Sequence, residues 1–207
     1  MGEPSNGDRP ANNKGRRFPA ELLSCDEVRA LIRACSARAP TGIRNRALIA
    51  VLYRGGLRVS EALALRPKDV DQSAGTLVVL HGKGDQRRTV GMDPAAFALL
   101  ERWLDKRRSL GVSARRAVFC TLAGGPLDSS YVRRLLPRLA VRAGIDKRVH
   151  AHGLRHAHAA ELVAEGMPVN VIQQQLGHGS LATTDRYLRH IAPRERVEAM
   201  RARAWEL

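Results

Sequence analysis

Four short segments gather most of the groups in this chain that could do chemistry. Gly56-Leu57-Arg58-Val59-Ser60-Glu61 places an arginine after a glycine turn and a carboxylate three residues later. Gly82-Lys83-Gly84 puts a lysine at a glycine turn. His152-Gly153-Leu154-Arg155-His156 joins a second arginine to two imidazoles. Leu176-Gly177-His178 precedes Thr183-Thr184-Asp185-Arg186-Tyr187, with the tyrosine nine positions after His178. Guanidinium groups are planar forks that suit phosphate. Taken singly, each segment has a plain reading. Arg58 is one of 30 arginines, most of them solvated, and Glu61 could pair with Arg58 or Arg66 on a helix surface. Lys83 at a glycine turn is ordinarily a solvated tip. His150, His152, His156 and His158 invite a metal reading, but their spacing matches no H-E-x-x-H pattern and the chain lacks paired cysteines. No metal site is expected. His156 and His158 are assigned to helix packing or phosphate contact, and His190 receives no role.

Composition narrows the partner. The 207 residues contain 35 Lys+Arg against 20 Asp+Glu, a formal charge of +15, and only 5 of the basic residues are lysine. Such a field favours a polyanion and argues against an enzyme acting on a free small molecule. Cys25, Cys35 and Cys120 are odd in number and far apart. They suit neither a disulfide framework nor a metal site, so a reducing compartment is expected. No apolar run reaches membrane-spanning length.

Together and in this order, the four segments resemble the catalytic domain of the tyrosine site-specific recombinases, the phage-integrase family, over about residues 18–190. The resemblance implies a mostly α-helical α+β domain with a small three-stranded antiparallel sheet. It also implies an enzyme that cleaves and rejoins double-stranded DNA. A tyrosine attacks a phosphodiester, leaving a 3′-phosphotyrosine and a free 5′-hydroxyl. Bond energy is conserved, so no ATP, metal or other cofactor is implied. The phosphorane transition state gains negative charge on its non-bridging oxygens, and two guanidinium forks are suited to hold it. By position, the resemblance assigns that clamp to Arg58 and Arg155. It assigns the general acid for the 5′-oxygen to Lys83 and assistance at the nucleophile to His152. His178 would hydrogen-bond the phosphate, Tyr187 would be the nucleophile, and Glu61 would brace the first arginine. Ala157 departs from the threonine that relatives often carry there, with little effect expected.

Arg87, Arg88, Arg133, Arg134 and Arg148 are candidate contacts to the DNA backbone, which position a protein without reading bases. The implied assembly is a homo-oligomer on DNA, a tetrameric synapse with exchanged C-terminal helices, with an accessory DNA-binding protein as a further partner. The expected place is the cytoplasm, at the nucleoid, with no membrane partner. The narrower expectation is an integrase of a phage or other mobile element. A relaxing topoisomerase and a non-catalytic DNA-binding regulator are the alternatives. The complete set Arg58, Lys83, His152, Arg155, His178 and Tyr187 argues against the last.

The elements that must position these groups are legible in outline. Residues 1–17 read as a disordered basic arm, rich in Gly, Pro and Asn. Residues 18–207 read as the catalytic domain, and the preceding core-binding domain of about a hundred residues common in the family is expected to be absent. Ser24 before Cys25-Asp26-Glu27 predicts a helix start. Further helices are expected over 43–53 and 59–65. Apolar residues at 76–80 and 88–90 around Gly82–Asp85 predict a hairpin, with 69–71 as a third strand. Helices then follow over about 93–109, 128–142, 153–165, 168–176, 180–189 and 193–205. The last offers Val197, Met200, Ala204 and Trp205 as an apolar face. Tyr53 is read as core, and Tyr131 as a surface or DNA-backbone residue.

Overall fold

The computed structural model describes residues 22–80, 87–177 and 201. The expectations for residues 1–17, for Lys83, His178, Tyr187 and His190, and for the helices over 180–189 and 193–205 lie outside the described residues.

A helix that is apolar on every side belongs in the middle of a domain. That is α2, Pro40–Tyr53, where Ile43 and the run Ala47–Tyr53 are all buried. It starts three residues before the sequence-based expectation, because Pro40 occupies the first helical position, where its missing N–H costs nothing. Gly42 allows the entry: a Cβ there would meet the Ser36 carbonyl oxygen at 2.2 Å. Around α2 pack α1 (Cys25–Arg33), α3 (Val59–Ala64), α4 (Pro94–Ser109) and α6 (Ala151–Ala164). The start of α1 is the expected one and is closed by a reciprocal cap. Ser24 Oγ accepts from the Glu27 amide at 3.2 Å, and Glu27 Oε2 accepts from the Ser24 amide at 2.7 Å.

Strands β1 (Val70–Asp71), β2 (Thr76–Val79) and β3 (Arg88–Gly91) form one antiparallel sheet in that order. Leu77 pairs with both Val70 and Val90. Period-two alternation sends Leu77, Val79 and Val90 into the core. The sheet therefore has one buried face, and β3 is an edge strand. Helices α5 (Ser129–Ala143) and α7 (Val169–Leu176) complete the described residues. Of these helices α7 lies against β3 and α6. Among the described residues, no helix is long and apolar enough to cross a membrane.

Two details differ from the sequence-based reading. Helix α6 begins at Ala151, ahead of the expected position 153. The His150 side chain caps it, its Nδ1 accepting from the Gly153 amide at 3.0 Å. His152 thus sits in the first helical turn. Tyr131 does not face the surface. Its hydroxyl donates to Asn45 Oδ1 at 2.9 Å and accepts from the Arg44 guanidinium, which also lies over its ring. Arg44 and Asn45 are buried, and a buried polar pair recruits the Tyr131 hydroxyl as its partner.

Candidate active site

Arg58 ends the turn that Gly56 makes with φ +61°. A Cβ at Gly56 would meet Leu176 at 2.9 Å and the His158 ring at 3.0 Å, so only glycine suits this close approach. Arg58 is the N-cap residue of α3, and Glu61 answers it from the third helical position. Glu61 Oε2 accepts from the Arg58 amide at 2.8 Å, and Oε1 accepts from Arg58 Nη1 at 2.7 Å. The same carboxylate takes a two-pronged contact from Arg88, Nη1 to Oε1 at 3.0 Å and Nη2 to Oε2 at 2.8 Å. The Glu61 side chain is 1 % exposed. Burial alone would push its pKa up, but the hydrogen bonds from Arg88 and the Arg58 amide reverse this and hold it below the ordinary carboxylate range.

Arg155, on α6, is buried. One arm of its guanidinium donates to the Gly56 carbonyl, and Nη2 donates to the Leu176 carbonyl at 2.6 Å. Arg58 Nη2 donates to the neighbouring Gly177 carbonyl at 3.3 Å. The two arginines that the sequence separates by almost a hundred residues therefore meet at the C-terminal end of α7. The residue that follows Gly177 in the sequence is His178. Arg58 keeps 31 % of its side chain exposed and spends part of its donor set, so an incoming anion can reach it.

His152 lies one turn before His156 on α6, and the rings meet edge to face at 4.0 Å between centroids. His152 is exposed, yet the protein packed along one side of its ring, followed by the positive charge of Arg155, lowers its pKa. A neutral imidazole beside two guanidinium groups is able to take a proton. His158 is buried, with neither ring nitrogen hydrogen-bonded. Burial, with Arg54 and Arg155 adding to it, pushes its pKa down to about 3. It is a packing residue behind Gly56. The packing half of the expectation for His158 holds. Among the described residues, no three His, Cys, Asp or Glu side chains stand close enough to share a metal ion.

The five arginines expected on the DNA backbone separate. Arg87, Arg133, Arg134 and Arg148 are exposed. Arg133 and Arg148 line one groove of about 370 Å³ with Val59, Lys147 and His150, beside the turn that carries Arg58. Arg88 is different: its side chain is 11 % exposed and its guanidinium lies on Glu61. Of the two surface partners open to Glu61 in the sequence, Arg58 or Arg66, it takes Arg58, and adds Arg88. Sequence reasoning missed Gln175 altogether. Its side-chain amide accepts from the Gly91 amide at 3.2 Å and donates to the Gly91 carbonyl at 2.8 Å, pairing with the backbone of β3.

Comparison with known proteins follows the same outline. The chain is 40 % identical over 172 residues to tyrosine recombinase XerC of Xanthomonas axonopodis pv. citri (strain 306), covering 83 % of this chain and 54 % of that protein. It is 38 % identical over 183 residues to tyrosine recombinase XerD of Mycobacterium leprae (strain TN), covering 84 % and 57 %. The chain thus spans about half the length of the curated relatives it matches. Among solved structures, XerA recombinase superposes with a TM-score of 0.77 at 33 % identity, over 89 % of this chain and 66 % of that one. The catalytic domain of bacteriophage HP1 integrase, at 23 % identity and a TM-score of 0.55 over 87 % and 94 % of the two chains, shares the fold. The model of the phage integrase family matches residues 21–194. The arginine pair, the small sheet and these matches agree, and the chain belongs to the phage integrase family.

Proposed function

We propose that this chain carries out DNA strand transfer as a tyrosine recombinase of the Xer type. One observation carries the reading: Arg58 and Arg155 converge on the end of α7, with Arg58 open to solvent, one residue before His178. In the reaction, the Tyr187 oxygen attacks phosphorus and the bond to the 5′-oxygen breaks. Phosphorus becomes esterified to tyrosine, and the phenolic proton passes toward His152, kept neutral by its surroundings. Lys83 delivers a proton to the departing 5′-oxygen. Arg58 and Arg155 hold the added charge on the non-bridging oxygens, the kind of contact whose loss costs most. Attack by a 5′-hydroxyl from another strand reverses every step and releases Tyr187.

Relatives bearing Xer names support the broader reading. Integration of a phage or mobile element rests on a likeness of fold to HP1 integrase and to Tn1549 integrase, the latter at 19 % identity. XerH has been solved bound to its difH substrate, and the chain matches that structure at 28 % identity with a TM-score of 0.72. By analogy, double-stranded DNA is the substrate here. A tetrameric synapse, exchange of the 193–207 helix and an accessory DNA-binding protein belong to the same proposal.

Covalent trapping tests it. The protein is incubated with nicked duplexes drawn from the DNA flanking its gene and run on a denaturing gel beside Tyr187→Phe. A retarded band lost in the variant supports strand transfer. A band that survives the substitution removes Tyr187 as nucleophile. Binding without any band favours the non-catalytic DNA-binding reading, and relaxation of a plasmid lacking a site favours the topoisomerase.

A further inference from the structure

The end of α7 has an unusual set of partners. The Gly177 amide closes the helix on the carbonyls of Gln173 and Gln174. The next three carbonyls are the groups a helix leaves without a partner at its negative end. Each receives an arginine: Gln175 from Arg88 Nε at 3.4 Å, Leu176 from Arg155 Nη2 at 2.6 Å, Gly177 from Arg58 Nη2 at 3.3 Å. Arg88 runs so close beneath Gly177 that a Cβ there would meet its guanidinium at 2.8 Å. Two of the three arginines are the expected phosphate clamp. Of the three, Arg58 is the one open to solvent; Arg155 is buried, and Arg88 keeps only 11 % of its side chain exposed.

Glu61 explains what the third arginine does. A carboxylate facing Arg58 alone would take its donors and cancel its charge. Here both oxygens are shared with Arg88, so one negative charge lies between two positive ones. The group keeps a net positive charge on its solvent side, where Arg58 is. We infer that Arg88 is a positioning residue for the phosphate clamp, holding Glu61 so that Arg58 keeps both its orientation and its charge for the scissile phosphate. Arg88 also begins β3, so the link ties the sheet to the end of α7, and Gln175 pins the same two elements through Gly91. The inference deepens the strand-transfer reading and rests on it.

The test uses the charge of the substrate. Single-turnover adduct formation is measured at saturating DNA on the duplex that traps the wild-type protein. It is then repeated with a methylphosphonate at the scissile position, where a neutral methyl replaces one charged non-bridging oxygen. Arg88→Ala is expected to slow the phosphodiester reaction about 10- to 100-fold, the usual cost of losing a group that orients a reacting one. The loss on the methylphosphonate is expected to be smaller by about tenfold, because less charge needs holding. Arg88→Lys should rescue poorly, since an ammonium cannot make the two-pronged contact. In a Glu61→Gln background, Arg88→Ala should add little, as for two residues acting as one unit. Equal losses on both substrates would assign Arg88 to folding alone and overturn the inference. So would unchanged rates, or weaker binding whose log–log salt dependence falls by about one unit, which would place Arg88 on a phosphate. Each variant is its own control for folding, because both substrates meet the same preparation. A wild-type protein that forms no adduct on either substrate would instead refute the strand-transfer reading.

Discussion

Arg107 and Arg58 both bond to backbone carbonyls, in two regions of the molecule, and end in opposite states. Arg107, on α4, is 2 % exposed and donates to the carbonyls of Val112, Ser113, Arg116 and Ala117. It gathers the chain between α4 and α5 around itself and leaves almost no donor over. Arg58 donates to one carboxylate and one carbonyl and keeps 31 % of its side chain in solvent. Arg44 belongs with Arg107: it is spent on Cys120, Asn45 and Tyr131. Arginine has five donors, and the fold consumes nearly all of them at Arg107 while leaving some over at Arg58. Abundance of arginine in a basic chain therefore says little about which one acts.

The largest test of this contrast removes the open arginine. Arg58→Ala is expected to slow adduct formation about 10²- to 10³-fold while leaving the unfolding midpoint nearly in place. Single-turnover cleavage and a thermal melt on one preparation check both halves. The closed arginine should behave the other way. Arg107→Ala removes a buried side chain and four part-buried hydrogen bonds to carbonyls, and is expected to cost about 3 kcal/mol in denaturant unfolding, with the rate per folded molecule unchanged. A smaller effect of the same kind is expected at the other closed cluster. Tyr131→Phe removes one hydroxyl between Arg44 and Asn45 and should cost about 1–2 kcal/mol, with DNA affinity unaltered. A drop in affinity without loss of stability would return Tyr131 to the DNA surface.

The smallest test reads the support behind the open cluster. His158 has its pKa pushed down to about 3, whereas an unfolded histidine titrates near 6.5. Between those values the unfolded chain binds a proton that the folded one does not. Stability therefore rises with pH through this window and falls as pH drops below about 6.5. His158→Phe should remove roughly 1 kcal/mol of the loss seen between pH 7 and 5.5, measured by denaturant unfolding at each pH. An unchanged slope would mean that His158 is not held neutral.

Much of the frame was legible because it rests on local pattern. Ser24 with Glu27, the alternation at Leu77, Val79 and Val90, and the all-apolar run in α2 each announce an element without help from the rest of the chain. Arg58, Glu61, His152 and Arg155 stand out in the sequence by type and order, and the fold brings them near one another. What was not legible depends on distant partners. The side chain of His150 moved the start of α6, since a histidine cap is indistinguishable in sequence from any other histidine. Arg87 and Arg88 are adjacent, yet strand alternation sends one to solvent and the other under Gly177. Gln175 carried no signal, because a glutamine that pairs with a strand edge looks like any glutamine on a helix.

By itself the sequence determined which groups are present, their order, the local periodicities that make the helices and hairpin, and the excess of positive charge that suits a polyanion. Those depend on residue type and near neighbours. Only the tertiary structure decided which arginines are consumed and which remain open. That choice is made by carbonyls and carboxylates brought from segments far apart in the chain: the end of α7, the Gly56 turn and Glu61. A guanidinium takes its role from the acceptors around it, and those acceptors exist only once the chain has folded.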